Sequence, residues 1–231
     1  MQGWLEFAAA MVVFLGAHAI PVRPRLKAPL VALLGRAGFG IAYSALSIGL
    51  LTWLIVAAGR APYLPLWGFA PWQSHAALTL MLAACLLAAY AIAGVNPLSF
   101  GSRGAPFDPA RPGIAGVSRH PVLLALALWG AAHLLANGDL AHVILFGTMT
   151  GFALLGMPLI DRRKRRDMGP DNWREQTRAT SLVPFAALLA GRWRPGAGPS
   201  WRPALVAVAV WAVLIALHPA VIGVDPLATV L

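Results

Sequence analysis

The side chain most in need of a chemical explanation is His133. It stands near the far end of Pro121-Val-Leu-Leu-Ala-Leu-Ala-Leu-Trp-Gly-Ala-Ala-His133, and no charged residue intervenes between His120 and Asp139. An imidazole in apolar surroundings must satisfy both an N–H and a lone pair, so it faces a helix bundle and takes a hydrogen-bond partner, an ion or a cofactor. A hydrogen bond to a neighbouring helix is the ordinary role, and metal ligation by the neutral ring is the chemical one. The other imidazoles are His18, His75, His120, His142 and His218. His142 comes directly after the turn at Asp139 and is expected at an interface. Cys85 is the single cysteine, which excludes an internal disulfide and fits a small core residue.

These residues are carried by an unusually apolar chain. Of 231 residues 59% are hydrophobic and 11% charged, with a mean hydropathy of +0.71, which excludes an ordinary soluble domain. A net charge of +10 would suit nucleic acid only if it lay along one soluble face. Instead the basic residues fill the gaps between apolar runs, the pattern of membrane topology, so no nucleic-acid partner is expected.

A bilayer core of about 30 Å needs roughly 17 to 25 helical residues. Six runs qualify or nearly so, at about 3–20, 39–58, 75–94, 121–136, 140–160 and 201–222. The expected fold is therefore all-α, a polytopic transmembrane helix bundle of about six spans forming one membrane domain over 1–231. The segment 182–190 is too short to span and reads as a cytoplasmic interfacial piece. Residues 96–118, rich in Pro and Gly and carrying Phe100 and Phe107, read as a linker or as an ordered cap, with composition favouring the linker.

With both termini outside, only Arg60 of the 18 Lys and Arg residues falls on the outer side. Such a bias predicts a multi-pass protein of a bacterial inner membrane with periplasmic termini. A cleaved signal at Ala17-His18-Ala19 is rejected, because the basic residues follow the apolar stretch instead of preceding it. Asn137-Gly138-Asp139 predicts a tight antiparallel turn, with Gly138 supplying positive φ and Asp139 capping the next helix. Gly147-Thr-Met-Thr-Gly151 predicts a small-residue face for helix contact. The run Asp161-Arg-Arg-Lys-Arg-Arg166 would draw anionic headgroups at about 1 kcal/mol per basic residue.

Lipid contact does not require the strings that accompany that run. His18 closing the first span, Arg119-His120-Pro121, Trp129 through His133, Asp161-Arg162-Arg163, Thr180-Ser181 with Pro184-Phe185, and His218-Pro219 occur in order along nearly the whole chain. In these features the sequence resembles the NnrU family of bacterial membrane proteins and its plant relative, ζ-carotene isomerase. The resemblance implies a connection with nitrite and nitric oxide metabolism in denitrifying bacteria. Through the plant relative, a haem b protein that isomerises a polyene, it also implies a haem b cofactor and a lipophilic or small gaseous substrate. The same resemblance points to His18 and His133 as the ligands of the haem iron.

Two imidazoles from different helices, an apolar pocket and basic residues for the propionates are what a b-type haem requires. No Cys-x-x-Cys-His is present for covalent attachment. Depth favours another pair. His133 lies roughly 18 Å beyond Pro121 at 1.5 Å per residue, near the outer side with His75, His142 and His218, whereas His18 and His120 lie near the cytoplasmic side. His133 is common to both pairs, with His218 the alternative second ligand. Arg119 and His120 are cofactor-binding candidates, or mark a helix entry with Pro121 in its first turn.

Arg119-His120-Pro121 also resembles a segment of membrane isoprenylcysteine methyltransferases that holds S-adenosylmethionine, with Asp161, Gly169 and Trp173 in matching roles. The chain lacks the tyrosines of that pattern. If residues 161–173 fold back on His120, a polar pocket is expected at the cytoplasmic face. Three functions thus stand side by side: a haem-dependent isomerase or redox enzyme, a non-catalytic accessory protein of denitrification, and a methyltransferase.

Overall fold

A computed structural model describes residues 2–19, 23–99, 106–196 and 198–230. Ile20 of the first expected span, Phe100 and Arg103 lie outside the described residues. Helices follow in the order α1 (Gln2–Ala19), α2 (Pro24–Arg60), α3 (Pro71–Ala93), α4 (Ile114–Val117), α5 (Pro121–Ala136), α6 (Leu140–Met168), α7 (Pro170–Thr177), α8 (Ala186–Leu189) and α9 (Trp201–Ile222). Among the described residues there is no strand beyond an isolated bridge between Pro65 and Asp139.

Four of these helices, α2, α3, α6 and α9, are long and apolar enough to cross a membrane, and α5 is a shorter apolar helix. At 1.5 Å per residue the 16 residues of α5 reach about 24 Å. The apolar side chains of α9 are mostly exposed, Ala207 being its buried residue. A helix apolar on all sides yet barely covered by protein is a helix whose solvent is lipid.

The chain forms two compact units. The first comprises Met1–Gly68 with Asn137–Leu145. Phe7, Ala10 and Phe14 share one buried face of α1, at the spacing a helix stripe requires. α1 packs against α2, in which Leu54, Ala57 and Ala58 are buried. The two backbones approach closely at Gly3, where a Cβ would meet the Arg60 carbonyl at 2.4 Å. Beside it Arg60 and Glu6 pair at 3.1 Å. Gly35, at φ 71°, interrupts α2 between its basic start and its apolar body.

The expected turn at 137–139 is present, but Gly138 serves it differently. It is not among the positive-φ glycines. Instead a Cβ there would lie 2.2 Å from the Trp67 carbonyl, and Gly138 O receives Leu66 N at 2.7 Å. Close backbone approach, then, is the reason for glycine. Asp139 caps α6 as expected, its Oδ1 accepting from His142 N at 3.3 Å while Oδ2 holds His142 Nδ1 at 2.7 Å.

The second unit comprises Phe69–Ala136 and Phe146–Leu231. α3 packs against α5 and α9, and Trp211 Nε1 donates to Leu78 O at 3.1 Å across the second contact. A core of Leu123, Ala127, Ala153 and Met157, with Leu182 against it, joins α5 to α6 in antiparallel register. The small-residue face expected at 147–151 is corrected here. Gly147 and Gly151 meet nothing within 4 Å, whereas a Cβ on Gly130 would meet Thr150 Oγ1 at 2.5 Å. The glycine that permits close approach belongs to α5.

The linker reading of 96–118 also gives way in the described part. Asn96 is buried and donates from Nδ2 to Arg119 O at 2.9 Å. Leu98 and Ala115 are fully buried, and α4 adds a helical turn. This is an ordered cap, held because buried backbone groups must be paired.

Candidate functional site

Two clusters in the second unit contain the residues singled out by sequence. The first surrounds the entry to α5. Residues 117–119 run beside 181–185, with Arg119 N donating to Ser181 O at 2.8 Å and Phe185 N to Val117 O at 2.8 Å. This pairing fixes Arg119 and His120 just ahead of Pro121, which suits the first helical position because its missing N–H has no intrahelical role there.

His120 is fully buried. Its Nε2 donates to Asp161 Oδ1 at 2.9 Å, and its Nδ1 lies 2.9 Å from Ser99 Oγ. Arg119 pairs through NH1 with the other carboxylate oxygen of Asp161. Its Nε donates to Thr180 Oγ1 at 2.9 Å, and its guanidinium lies 5.1 Å from the centre of the buried Trp173 ring. Burial pushes the Arg119 pKa below its usual value; Asp161 opposes that shift and the charge of Arg192 adds to it. The expected return of 161–173 onto His120 is therefore present. Chemically the cluster is closed: both Asp161 oxygens and both His120 nitrogens have partners within the protein, the pattern of a buried ion pair that holds segments together.

The second cluster lies farther along α5. The His133 ring is 5.2 Å from Trp129, 4.9 Å from Phe146 and 6.5 Å from the ring of His218 on α9. His133 Nδ1 bonds to Trp129 O at 2.8 Å and His218 Nδ1 to Val224 O at 2.7 Å. A carbonyl only accepts, so Nδ1 carries a hydrogen in both rings. Thr150 Oγ1, against Gly130 three residues before His133, is a buried side-chain oxygen with no hydrogen-bond partner among the described residues.

These observations test haem as a ligand. Two imidazoles on one metal at about 2 Å per bond bring their ring centres to roughly 6 Å, close to the 6.5 Å between His133 and His218. The donor type and ring spacing are those of two imidazoles that could share one metal. Among the described residues no group of three or more metal-binding side chains occurs, and a haem needs only two axial ligands.

His18 lies in the first unit, its Nδ1 bonded to Phe14 O at 2.7 Å and its ring 5.9 Å from Tyr43. His75 Nδ1 bonds to Pro71 O at 3.1 Å at an exposed position. Of the sequence candidates, then, His133 and His218 come together, as do Arg119 and His120. Arg192 stands out in the sequence with Gly191, in a string that lipid contact does not require, whereas Ser99 has no sequence signal, since a lone serine carries no spacing pattern.

The family model described as NnrU protein matches residues 6–226, nearly the whole chain. No curated protein and no solved structure matches it.

Proposed function

The chain belongs to the NnrU family, and on that premise we propose that it is a six-span protein of the bacterial cytoplasmic membrane that binds haem b through His133 and His218. Five of the spans are the four long apolar helices and α5. The sixth is α1, whose 18 residues extend about 27 Å at 1.5 Å per residue. The charge bias supports termini on the periplasmic side.

The observation that carries the haem reading is the imidazole pair, two rings from different helices 6.5 Å apart, each with its Nδ1 held by a backbone carbonyl. His133 and His218 would hold haem b, which would supply one-electron redox chemistry. The carbonyls of Trp129 and Val224 orient the two rings. Trp129 and Phe146 pack an apolar wall on His133. The function follows as redox-linked or isomerisation chemistry on a lipophilic or small gaseous substrate, with the family resemblance connecting it to nitrogen-oxide metabolism.

The deciding experiment is the visible spectrum of protein purified from haem-replete cells. A Soret band and a b-type pyridine haemochrome are expected. Protein without either would overturn haem binding and leave a non-catalytic accessory role.

The return of Asp161 and Trp173 onto Arg119 and His120 favours a second reading, methyl transfer from S-adenosylmethionine. Against it stands the closed hydrogen bonding of that cluster, which leaves no polar group of Asp161 or His120 for a ligand. Calorimetry with S-adenosylmethionine decides: micromolar binding that disappears in His120→Ala would place methyl transfer first.

A further inference from the structure

Beside the Arg119 cluster is an open cleft of about 540 Å³ that neither reading employs, lined by Ala110, Arg178, Ala179, Gly191, Arg192 and Arg194. One of its arginines is held by the backbone. Arg192 NH1 donates to Arg178 O at 3.1 Å and to Thr180 O at 2.9 Å. Gly191 turns the chain at φ 68°. Trp193, between the last two arginines, lies on Gly116 so tightly that a Cβ there would meet the indole at 2.4 Å.

The positive charge in the cleft is poorly compensated. Arg178 has Glu175 at 2.9 Å, but both side chains are about half exposed, and such a pair holds weakly. Asp161 is taken by Arg119 and His120, and Asp108 by Arg111. Among the described residues no carboxylate pairs with Arg192 or Arg194. Three arginines lining one cleft supply the kind of N–H donors a phosphate takes, since its oxygens accept several at once.

The same segment tells which phosphate. Val183, Phe185, Leu188 and Leu189 are exposed, Leu189 by 86%, on the stretch that leads directly into Gly191. Apolar side chains adjoining basic ones belong at a membrane surface, the first among acyl chains and the second at headgroups. Haem propionates do not reach this place, because His133 lies about 18 Å along α5 from Pro121 at 1.5 Å per residue, and the cleft adjoins the Pro121 end. We propose that the cleft of Arg178, Arg192 and Arg194 binds the phosphate of an anionic phospholipid, with the 183–189 shelf against its acyl chains.

Native mass spectrometry of the full chain in detergent tests this, titrating phosphatidylglycerol against phosphatidylcholine. Wild type should retain phosphatidylglycerol selectively, and Arg178→Gln with Arg194→Gln should weaken retention roughly tenfold or more, two basic residues near a headgroup being lost. Arg192 is left intact because it supports the backbone. Arg162→Gln with Arg163→Gln, on the exposed basic run of α6, should weaken retention clearly less than the cleft pair, because attraction at exposed side chains is screened. If the double variant proves unstable, Arg194→Gln alone should still show a loss. Equal losses in the cleft and α6 variants would mean diffuse attraction and overturn the site. Glycerol phosphate binding as tightly as the lipid would overturn the lipid as its occupant.

Discussion

Asp161, in the last third of α6, accepts a hydrogen bond from the fully buried Nε2 of His120, immediately ahead of α5, at 2.9 Å. Two antiparallel helices are thereby locked at one end. Their register continues through Leu123, Ala127, Ala153 and Met157 to Trp129 and Phe146, whose rings stand 5.5 Å apart. The height of His133 in the bundle is thus set by an ion pair at the opposite end of its helix.

Removing one member of that pair should cost more than the pair contributes, because the remaining buried groups lose their partner. For Asp161→Ala we expect destabilisation of roughly 3 kcal/mol, the lower part of the range for breaking a buried pair. Thermal unfolding in detergent measures it. A loss under about 0.5 kcal/mol, as for an exposed pair, would show that water or lipid reaches the cluster.

Much of the architecture was legible because it is written locally. Pro121 opens α5, Asp139 caps α6, and the long apolar runs recur as α3, α6 and α9, since helix length and hydropathy are properties of contiguous residues. Asp161, Arg119 and His120 were visible as motifs as well. What could not be read is which distant groups meet. Gly138 was assigned to positive φ, a property of one residue, when its role is to admit the Trp67 carbonyl. Likewise Gly147 and Gly151 advertised a helix contact that Gly130 makes. Ser99 and Thr180 close the His120 cluster from positions dozens of residues away, and no periodicity links them.

Gly130 offers a direct test of the α5–α6 contact. A methyl group there would meet Thr150 Oγ1 at 2.5 Å and Thr150 N at 3.1 Å, so Gly130→Ala should overpack the interface and lower stability by about 1–3 kcal/mol. Thr150→Ala should relieve part of the loss, since it removes the nearest atom and leaves the backbone contact. Thermal unfolding of the two single variants and the double gives the coupling. Strict additivity would refute the close approach.

Orientation can be read by labelling. The charge bias assigns Lys164 to the cytoplasmic side and Leu66 to the outer side, and Leu66 is exposed. In a background with Cys85 replaced by Ala, an impermeant maleimide applied to intact cells should modify Leu66→Cys and spare Lys164→Cys. Permeabilised cells should label both. The opposite pattern would invert the topology, and labelling of both positions from outside in intact cells would remove the span alternation on which the depth reasoning for His133 and His18 depends.

The axial pair is decided by three alanine variants. His133 and His218 share the second unit with their rings 6.5 Å apart, whereas the NnrU resemblance pointed to His18. Alanine keeps a helix while deleting the imidazole, so each variant should still insert and run as a single species in detergent. His133→Ala and His218→Ala should both lose most of the Soret absorbance, and His18→Ala should keep it. Loss in His133→Ala and His18→Ala with retention in His218→Ala would reassign the second ligand to His18 while leaving haem binding intact. Retention in His133→Ala would remove the residue common to both pairs, and with it the proposed site.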